Sequence, residues 1–286
     1  MYFNQNKIYL TAELYYTVCR IGKRIILAPC EKLKQAQRFF KTAINWVYPL
    51  EMNTLNAAKI HCGKKYVLKM DIKDFYDSVP YPFIEQVVKN VCKRIKNANI
   101  NYYLMITTVD DKLPTGAPTS AHIANACFSP VDKRIKNYAN MLGVNYSRYM
   151  DDLTFSCDDK YLLNLVEKYV ARTLGNFGYK LNEGKTKYIS ENKQQNVLGV
   201  VVNNKEVRLP KKLRKKLRAA LHNYSIFKSS GAKQIDLKYR IWSEQSIARL
   251  KGYLAYTKQV DEKSYNKLIN YAKKLDIEPS PSFNLC

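Results

Sequence analysis

The chain has 286 residues, 46% of them hydrophobic and 25% charged, which excludes a disordered or fibrous polymer and allows a large core with two or three subdomains. Its net charge is +24, from 48 basic and 24 acidic residues, which points to a polyanion partner, most simply nucleic acid. No apolar run reaches the roughly 18 residues of a membrane span, and the first residues do not read as a signal peptide, so a cytoplasmic protein without a membrane partner is expected.

In chain order, residues 1–65 are mixed. Lys23 to Pro29 reads as a short strand with a basic start. Glu31 to Tyr48 reads as a helix with Leu33, Ala36, Phe40, Ile44 and Val47 on one face. Tyr66 to Ile72 reads as a buried strand and Tyr81 to Lys96 as a helix ending in a basic cluster. Asn97 to Asp111 gives little signal. His122 to Met141 reads as a long helix, Gly143 to Ser156 as a hairpin, Tyr161 to Phe177 as a helix and Val197 to Val202 as a strand. From Leu209 a narrow leucine stripe recurs at spacing four through Leu221, with Lys211, Lys212, Arg214, Lys215, Lys216 and Arg218 on the other faces. Two further helices are expected over Gln245–Tyr256 and Lys263–Leu275. Residues 206–286 carry 18 basic and 7 acidic side chains, a net of +11, and read as a helical module with a basic face. Such a face can also serve solvation alone.

No two of the seven cysteines have Cys-x-x-Cys spacing, and His61, His122 and His222 form no metal pattern. Zinc is not expected, and the unpaired cysteines suit a reducing cytosol.

Tyr149-Met150-Asp151-Asp152 lies at the tip of the expected hairpin. Adjacent carboxylates there repel unless a cation neutralises them, and a hard ion such as Mg²⁺ prefers oxygen ligands. Asp-Asp is also ordinary turn chemistry. A second carboxylate, Asp71, ends an expected strand, where it would be costly to bury without a partner. Phosphoryl transfer with two metals needs carboxylates from separate elements, and Asp71 and Asp151 could supply them. Asp74 and Asp77 read as exposed loop acids. Between the clusters, Gly116 allows a close backbone approach, and Thr119 or Ser120 is placed to cap the next helix. Such a loop and helix start could hold a phosphate or a base.

Asp71-x-x-x-Phe75-Tyr76, Leu113-Pro-x-Gly-Ala-Pro-Thr-Ser120 and Tyr149-x-Asp-Asp152, in this order, resemble the palm motifs of reverse transcriptases. Lys23-Arg24-x-Ile-x-x-Pro29 with Leu33-Lys34 resembles the first finger motif. Gly178-Tyr-Lys-Leu-Asn-x-x-Lys185-Thr186 resembles the segment after the catalytic hairpin, Val197 to Asn203 the start of the primer grip, and Leu250 to Tyr256 the thumb helix. The resemblance runs from about residue 20 to 275. It implies an α+β right-hand polymerase fold, with fingers over 1–65, a palm over 66–205 (including a finger insertion about 80–112) and a helical basic thumb over 206–286. It further implies two Mg²⁺ ions held by Asp71, Asp151 and the Ile72 carbonyl, with Asp152 assisting. Tyr76 would select deoxynucleotides by excluding a 2′-hydroxyl. Lys23 or Arg24, with Thr115 and Gly116, would contact the nucleotide, and Lys185 would stand near the pyrophosphate as an acid. The thumb cations Lys211, Lys212, Arg214, Lys215, Lys216 and Arg218 would grip RNA.

Among reverse transcriptases a compact bacterial enzyme of the retron type fits best. His61 stands ten residues before Asp71, as the retron pattern leads one to expect, although a lone histidine there is more often simply packed. The related Asn lies at Asn56, Leu198 stands for the usual Thr, Thr115 for Gln and Ala121 for Pro. The retron resemblance implies a structured non-coding RNA as template and primer, deoxynucleotide substrates, an RNA–DNA hybrid product, a separate effector protein and a role in anti-phage defence. Other defence-associated enzymes with untemplated or protein-primed synthesis remain open, as does a silent RNA-binding scaffold.

Overall fold

The computed structural model describes residues 15–22, 24–50, 53–231, 233–236 and 241–277. In chain order the elements are β1 (Tyr16–Ile21), β2 (Arg24–Pro29), α1 (Glu31–Val47), α2 (Thr54–Lys59), β3 (Tyr66–Asp71), α3 (Tyr81–Cys92), α4 (Ile100–Thr107) and α5 (Ser120–Met141). There follow β4 (Asn145–Tyr149), β5 (Asp152–Cys157), α6 (Lys160–Asn176), β6 (Lys187–Ser190), β7 (Asn196–Val197) and β8 (Val200–Val201). The chain ends with α7 (Lys211–Ser230), β9 (Gln234–Asp236), β10 (Ile241–Ser243), α8 (Glu244–Val260) and α9 (Glu262–Lys273). The fold is mixed α+β, with an antiparallel sheet flanked by helices. Among the described residues no helix is long and apolar enough to cross a membrane.

Two compact units share the chain: residues 1–53 with 66–188, and residues 54–65 with 189–286. The segment 54–65 groups with the C-terminal part.

In the first unit, β4, β5, β3 and β6 lie side by side in that order. β3 runs antiparallel to β5 from Tyr66↔Cys157 to Asp71↔Asp152, and β4 pairs β5 from Asn145↔Ser156 to Tyr149↔Asp152. Val67, Leu68 and Met70 of β3 and Leu153 and Phe155 of β5 are buried, as expected for strands covered on both faces. Leu68, Met70, Leu153 and Phe155 share one core with Ile84, Val87 and Val88 of α3, Ile123, Phe128 and Ile135 of α5, and Leu163, Val166 and Val170 of α6. Phe40 of α1 stacks on Tyr103 of α4 at 4.2 Å. α4 forms where little signal was expected: Asn99 caps it by accepting a hydrogen bond from the Tyr102 N–H.

In the second unit, Gln195 draws the 54–65 segment in. Its amide nitrogen donates to the Lys64 and Lys65 carbonyls, and the Val202 carbonyl accepts from the Gly63 N–H. Residues 197–202, expected as one strand, instead turn back on themselves as β7 and β8. The reversal falls at Leu198 and Gly199, both at positive φ, 47° and 89°. Leu217, Leu221, Leu250, Leu254, Leu268 and Ala272 bring α7, α8 and α9 into a separate small core. Asp261 organises this bundle. It accepts from the Leu209 N–H, from the Ser264 N–H and hydroxyl, and from Arg208 at 3.2 Å. Burial alone would raise its proton affinity, but these donors outweigh burial and hold the carboxyl below its usual range.

Candidate active site

Strand pairing brings the two carboxylate clusters together. Asp71 ends β3 directly opposite Asp152, the first residue of β5. Asp151 occupies the turn before β5, and its carbonyl accepts from the Ile72 N–H at 3.0 Å. Ile72 is buried and bridges Leu181, flanked by bonds from the Asn182 N–H to the Asp71 carbonyl and from the Lys73 N–H to the Lys180 carbonyl. This bridge brings in the segment after α6. A single 3₁₀ turn, Glu183–Lys185, then carries the Lys185 ammonium to 2.9 Å from both Asp71 carboxylate oxygens.

Asp71 is buried, whereas Asp151 and Asp152 are half-buried. The Asp151 carboxyl is pushed above its usual range, chiefly by burial and further by the negative charges of Asp71 and Asp152, with Lys185 opposing. Three carboxylates gather where part of the solvent is excluded. Such a set asks for a hard cation. Among the described residues no three His, Cys, Asp or Glu side chains close into a ready metal cage, and Lys185 supplies positive charge at Asp71. The oxygen donors present, from Asp71, Asp151 and Asp152, fit Mg²⁺.

The chain from Lys73 to Val79 turns back on itself, so that Phe75 is buried and Tyr76 half-buried. The Tyr76 phenol is held in its protonated form mainly by burial, then by Asp151 and Tyr149. Asp74 and Asp77 are exposed.

The loop before α5 behaves differently from expectation in two respects. Thr119 is the N-cap residue without a side-chain capping bond, and the Ser120 hydroxyl donates to the Pro114 carbonyl at 2.7 Å. Neither hydroxyl caps the helix, because Thr119 already has helical backbone angles. Gly116, at φ +116°, admits the protein's own strand: a Cβ there would lie 2.8 Å from the Leu27 carbonyl oxygen, while the Thr115 carbonyl accepts from the Leu27 N–H at 2.8 Å. Thr115 and Gly116 thus anchor β2. Lys23 lies outside the described residues, as does the side chain of Arg24, whose backbone pairs with Ile21.

In the second unit, Lys211, Lys212, Arg214, Lys215, Lys216 and Arg218 are all exposed on α7. Arg218 additionally lies 4.3 Å over the Tyr271 ring. His61 is fully buried, and burial lowers it to about 4, which makes it a packed neutral imidazole. A group that sequence reading passed over is Arg148 with Asn125 and Asp132, joined behind the turn. An arginine inside an apolar-polar alternating strand was its one visible signal.

The reverse transcriptase (RNA-dependent DNA polymerase) family model matches residues 15–202. The chain is 26% identical to the retron Ec86 reverse transcriptase of Escherichia coli, over 93% of this chain and 83% of that one. It is 28% identical to the retron Ec48 enzyme of Escherichia coli and 29% to the retron Mx65 enzyme of Myxococcus xanthus, covering 80% and 88% of this chain. It spans 55% and 62% of those two relatives. Its fold is similar to telomerase from Candida albicans, in a complex with a fragment of telomeric RNA, with TM-score 0.53 and 13% identity over 94% of this chain and 62% of that one. It is also similar to a foamy viral protease-reverse transcriptase, in a complex with RNA/DNA hybrid, with TM-score 0.51 and 14% identity over 90% of this chain and 32% of that one. The chain therefore belongs to the reverse transcriptase family, as an RNA-directed DNA polymerase of the bacterial retron type.

Proposed function

We propose that this enzyme copies a structured non-coding RNA into DNA by two-metal nucleotidyl transfer, making a short DNA that stays attached to RNA. The observation that carries the reading is the meeting of Asp71 with Asp151 and Asp152 at adjoining strand ends. Asp71 and Asp151 would hold the divalent ions, with Asp152 and the Ile72 carbonyl completing the shell. The ions, when bound, neutralise developing charge on the attacking and leaving oxygens. Every other part is positioning, as phosphoryl transfer requires. Tyr76, on the turn that follows Asp71, would stand under the incoming sugar and reject a 2′-hydroxyl. Lys185 would release Asp71 to the metal and turn its ammonium toward the leaving pyrophosphate, where it can donate a proton.

The RNA would be held by the exposed cations of α7 within a thumb over 206–286, since A-form duplexes are recognised through shape, phosphates and 2′-hydroxyls. The similarity to retron enzymes supports an RNA that serves as template and primer, a cytosolic setting, a separate effector protein and a part in defence against phage.

The test is to purify the protein with the nucleic acid it carries from its native locus and to sequence RNA and DNA, with and without Asp151→Ala. A defined RNA joined to complementary DNA, absent from the variant, is the expected result. DNA unrelated to the RNA would instead mean untemplated synthesis, and RNA without DNA in both samples a scaffold.

A further inference from the structure

Arg148, on β4, has a side chain only 8% exposed. A guanidinium is tolerated at such depth when its donors are satisfied. Nε donates to Asp132 Oδ1 at 2.8 Å, Nη2 to Asn125 Oδ1 at 2.7 Å and Nη1 to the Met150 carbonyl at 3.1 Å. Its Cζ lies 4.7 Å over the Phe128 ring. Asn125, Phe128 and Asp132 recur at spacings three and four, so they form one face of α5. The Tyr146 hydroxyl also donates to Asp132 Oδ1, at 2.6 Å.

The third acceptor matters most. Met150 precedes Asp151 and has φ 54°, a left-handed backbone that a long side chain adopts at a cost. β4 and β5 are already paired up to Tyr149↔Asp152, so the strands themselves do not depend on this contact. What it fixes is the direction of the Met150–Asp151 peptide relative to α5. The anchor extends further: Phe128 meets Phe75 edge-on at 5.7 Å, and Phe75 lies 5.7 Å from Tyr76.

Resting on the polymerase reading above, we propose that Arg148 is a positioning residue, which clamps the turn carrying Asp151 to α5 and so holds that carboxylate still during nucleotide addition. Lysine keeps the charge but has a single nitrogen and cannot reach three acceptors on two elements with the same geometry.

The experiment compares the full chain with R148K, N125A, D132N and R148K/D132N. It measures single-deoxynucleotide addition to a DNA primer on an RNA template, thermal unfolding, and Mn²⁺ binding by electron paramagnetic resonance. For R148K, kcat should fall by about 10²-fold with the nucleotide KM nearly unchanged, the signature of a small displacement of the reacting geometry. Mn²⁺ affinity should fall about tenfold, as when an outer partner of a metal ligand is lost. The double variant should be no slower than R148K, because the two changes break one network. An R148K enzyme with wild-type kcat and Mn²⁺ affinity overturns the proposal, and so does additive loss in the double variant. If R148K does not fold, N125A decides: about a tenfold loss of kcat at unchanged stability supports the clamp, and no loss overturns it. Asp151→Asn, measured alongside, separates the two readings. Should wild type and Asp151→Asn behave alike in synthesis, the polymerase reading fails, and Mn²⁺ affinity alone then judges Arg148.

Discussion

The carboxylate turn of the first unit and the basic helix of the second are both highly charged, yet they are built in opposite ways. Around Asp71, Asp151 and Asp152 the charges are partly buried: Lys185 holds the Asp71 carboxylate, while the Ile72 N–H and, behind the turn, Arg148 hold the backbone carbonyls of Asp151 and Met150. Along α7 the cations stand in solvent, and Arg218 is the member seated on a ring. The first arrangement fixes positions to a fraction of an ångström, as catalysis demands. The second supplies charge density, which suffices for attraction to a phosphate backbone. A change at the turn should therefore alter rate and leave binding intact, and a change on α7 should do the reverse.

The largest effect that tests this contrast is expected from Asp151→Asn. Loss of one carboxylate proposed to hold the metal should cut DNA synthesis by at least about 10³-fold, several kcal/mol of transition-state stabilisation. RNA affinity at fixed salt should stay within about twofold, since the substitution adds no repulsion. A parallel fall in RNA affinity would erase the distinction between the two regions.

Next in size is a pH effect on the second unit, through His61. Burial lowers its affinity for protons from the ordinary 6.5 to about 4. Between those values the unfolded chain binds the proton and the folded chain does not, so stability is full above about pH 6.5 and declines as pH falls toward 4. The decline amounts to about 3 kcal/mol at 1.36 kcal/mol per unit. Denaturant unfolding of wild type and His61→Gln at pH 7 and pH 4.5 measures it: the variant should lose less stability on acidification than wild type. Equal losses would mean that the imidazole is not the group responsible.

Tyr76→Ala should sharpen the contrast from the catalytic side. With the ring gone, ribonucleotide incorporation relative to deoxynucleotide should rise by roughly 10–100-fold, the range a steric pocket supplies. RNA binding should not move. Incorporation ratios from primer extension with each nucleotide read the outcome directly, and an unchanged ratio would remove Tyr76 from the sugar site.

Much of this was legible because the signals are local. The alternation on both sides of Met150-Asp151 marks a hairpin, and Glu31 to Val47 has a clear inward face through Leu33, Phe40 and Ile44. The site's carboxylates were identifiable since Asp71 ends an apolar strand. What stayed hidden depends on contacts far apart in sequence. Lys185 reaches Asp71 across 114 positions, through a strand bridge that no local pattern encodes. β1 escaped notice because Tyr16 is its one buried residue, leaving no alternation to read. β7 and β8 read as one strand because Leu198 is an unusual residue for a left-handed turn position. The three-way role of Arg148 requires α5 to be packed beside the hairpin, and sequence gives the residues without the packing.

The smallest expected effect falls on α7, and it divides the cations among themselves. Log affinity for RNA should fall linearly with log salt, with a slope that shrinks by a little under one unit for each phosphate contact removed. Lys212→Ala with Lys215→Ala should flatten the slope by up to about two units, and thermal stability should be unaffected because neither side chain is packed. Arg218→Ala should flatten it by about one more and also cost about 0.5–1 kcal/mol of stability, since the guanidinium covers the Tyr271 ring. Arg218→Lys separates these roles: it keeps the charge and the slope while giving up part of the stacking. An unchanged slope in both alanine variants would mean that α7 is a solvated face, and the grip on RNA would have to be sought elsewhere in the +24 surface.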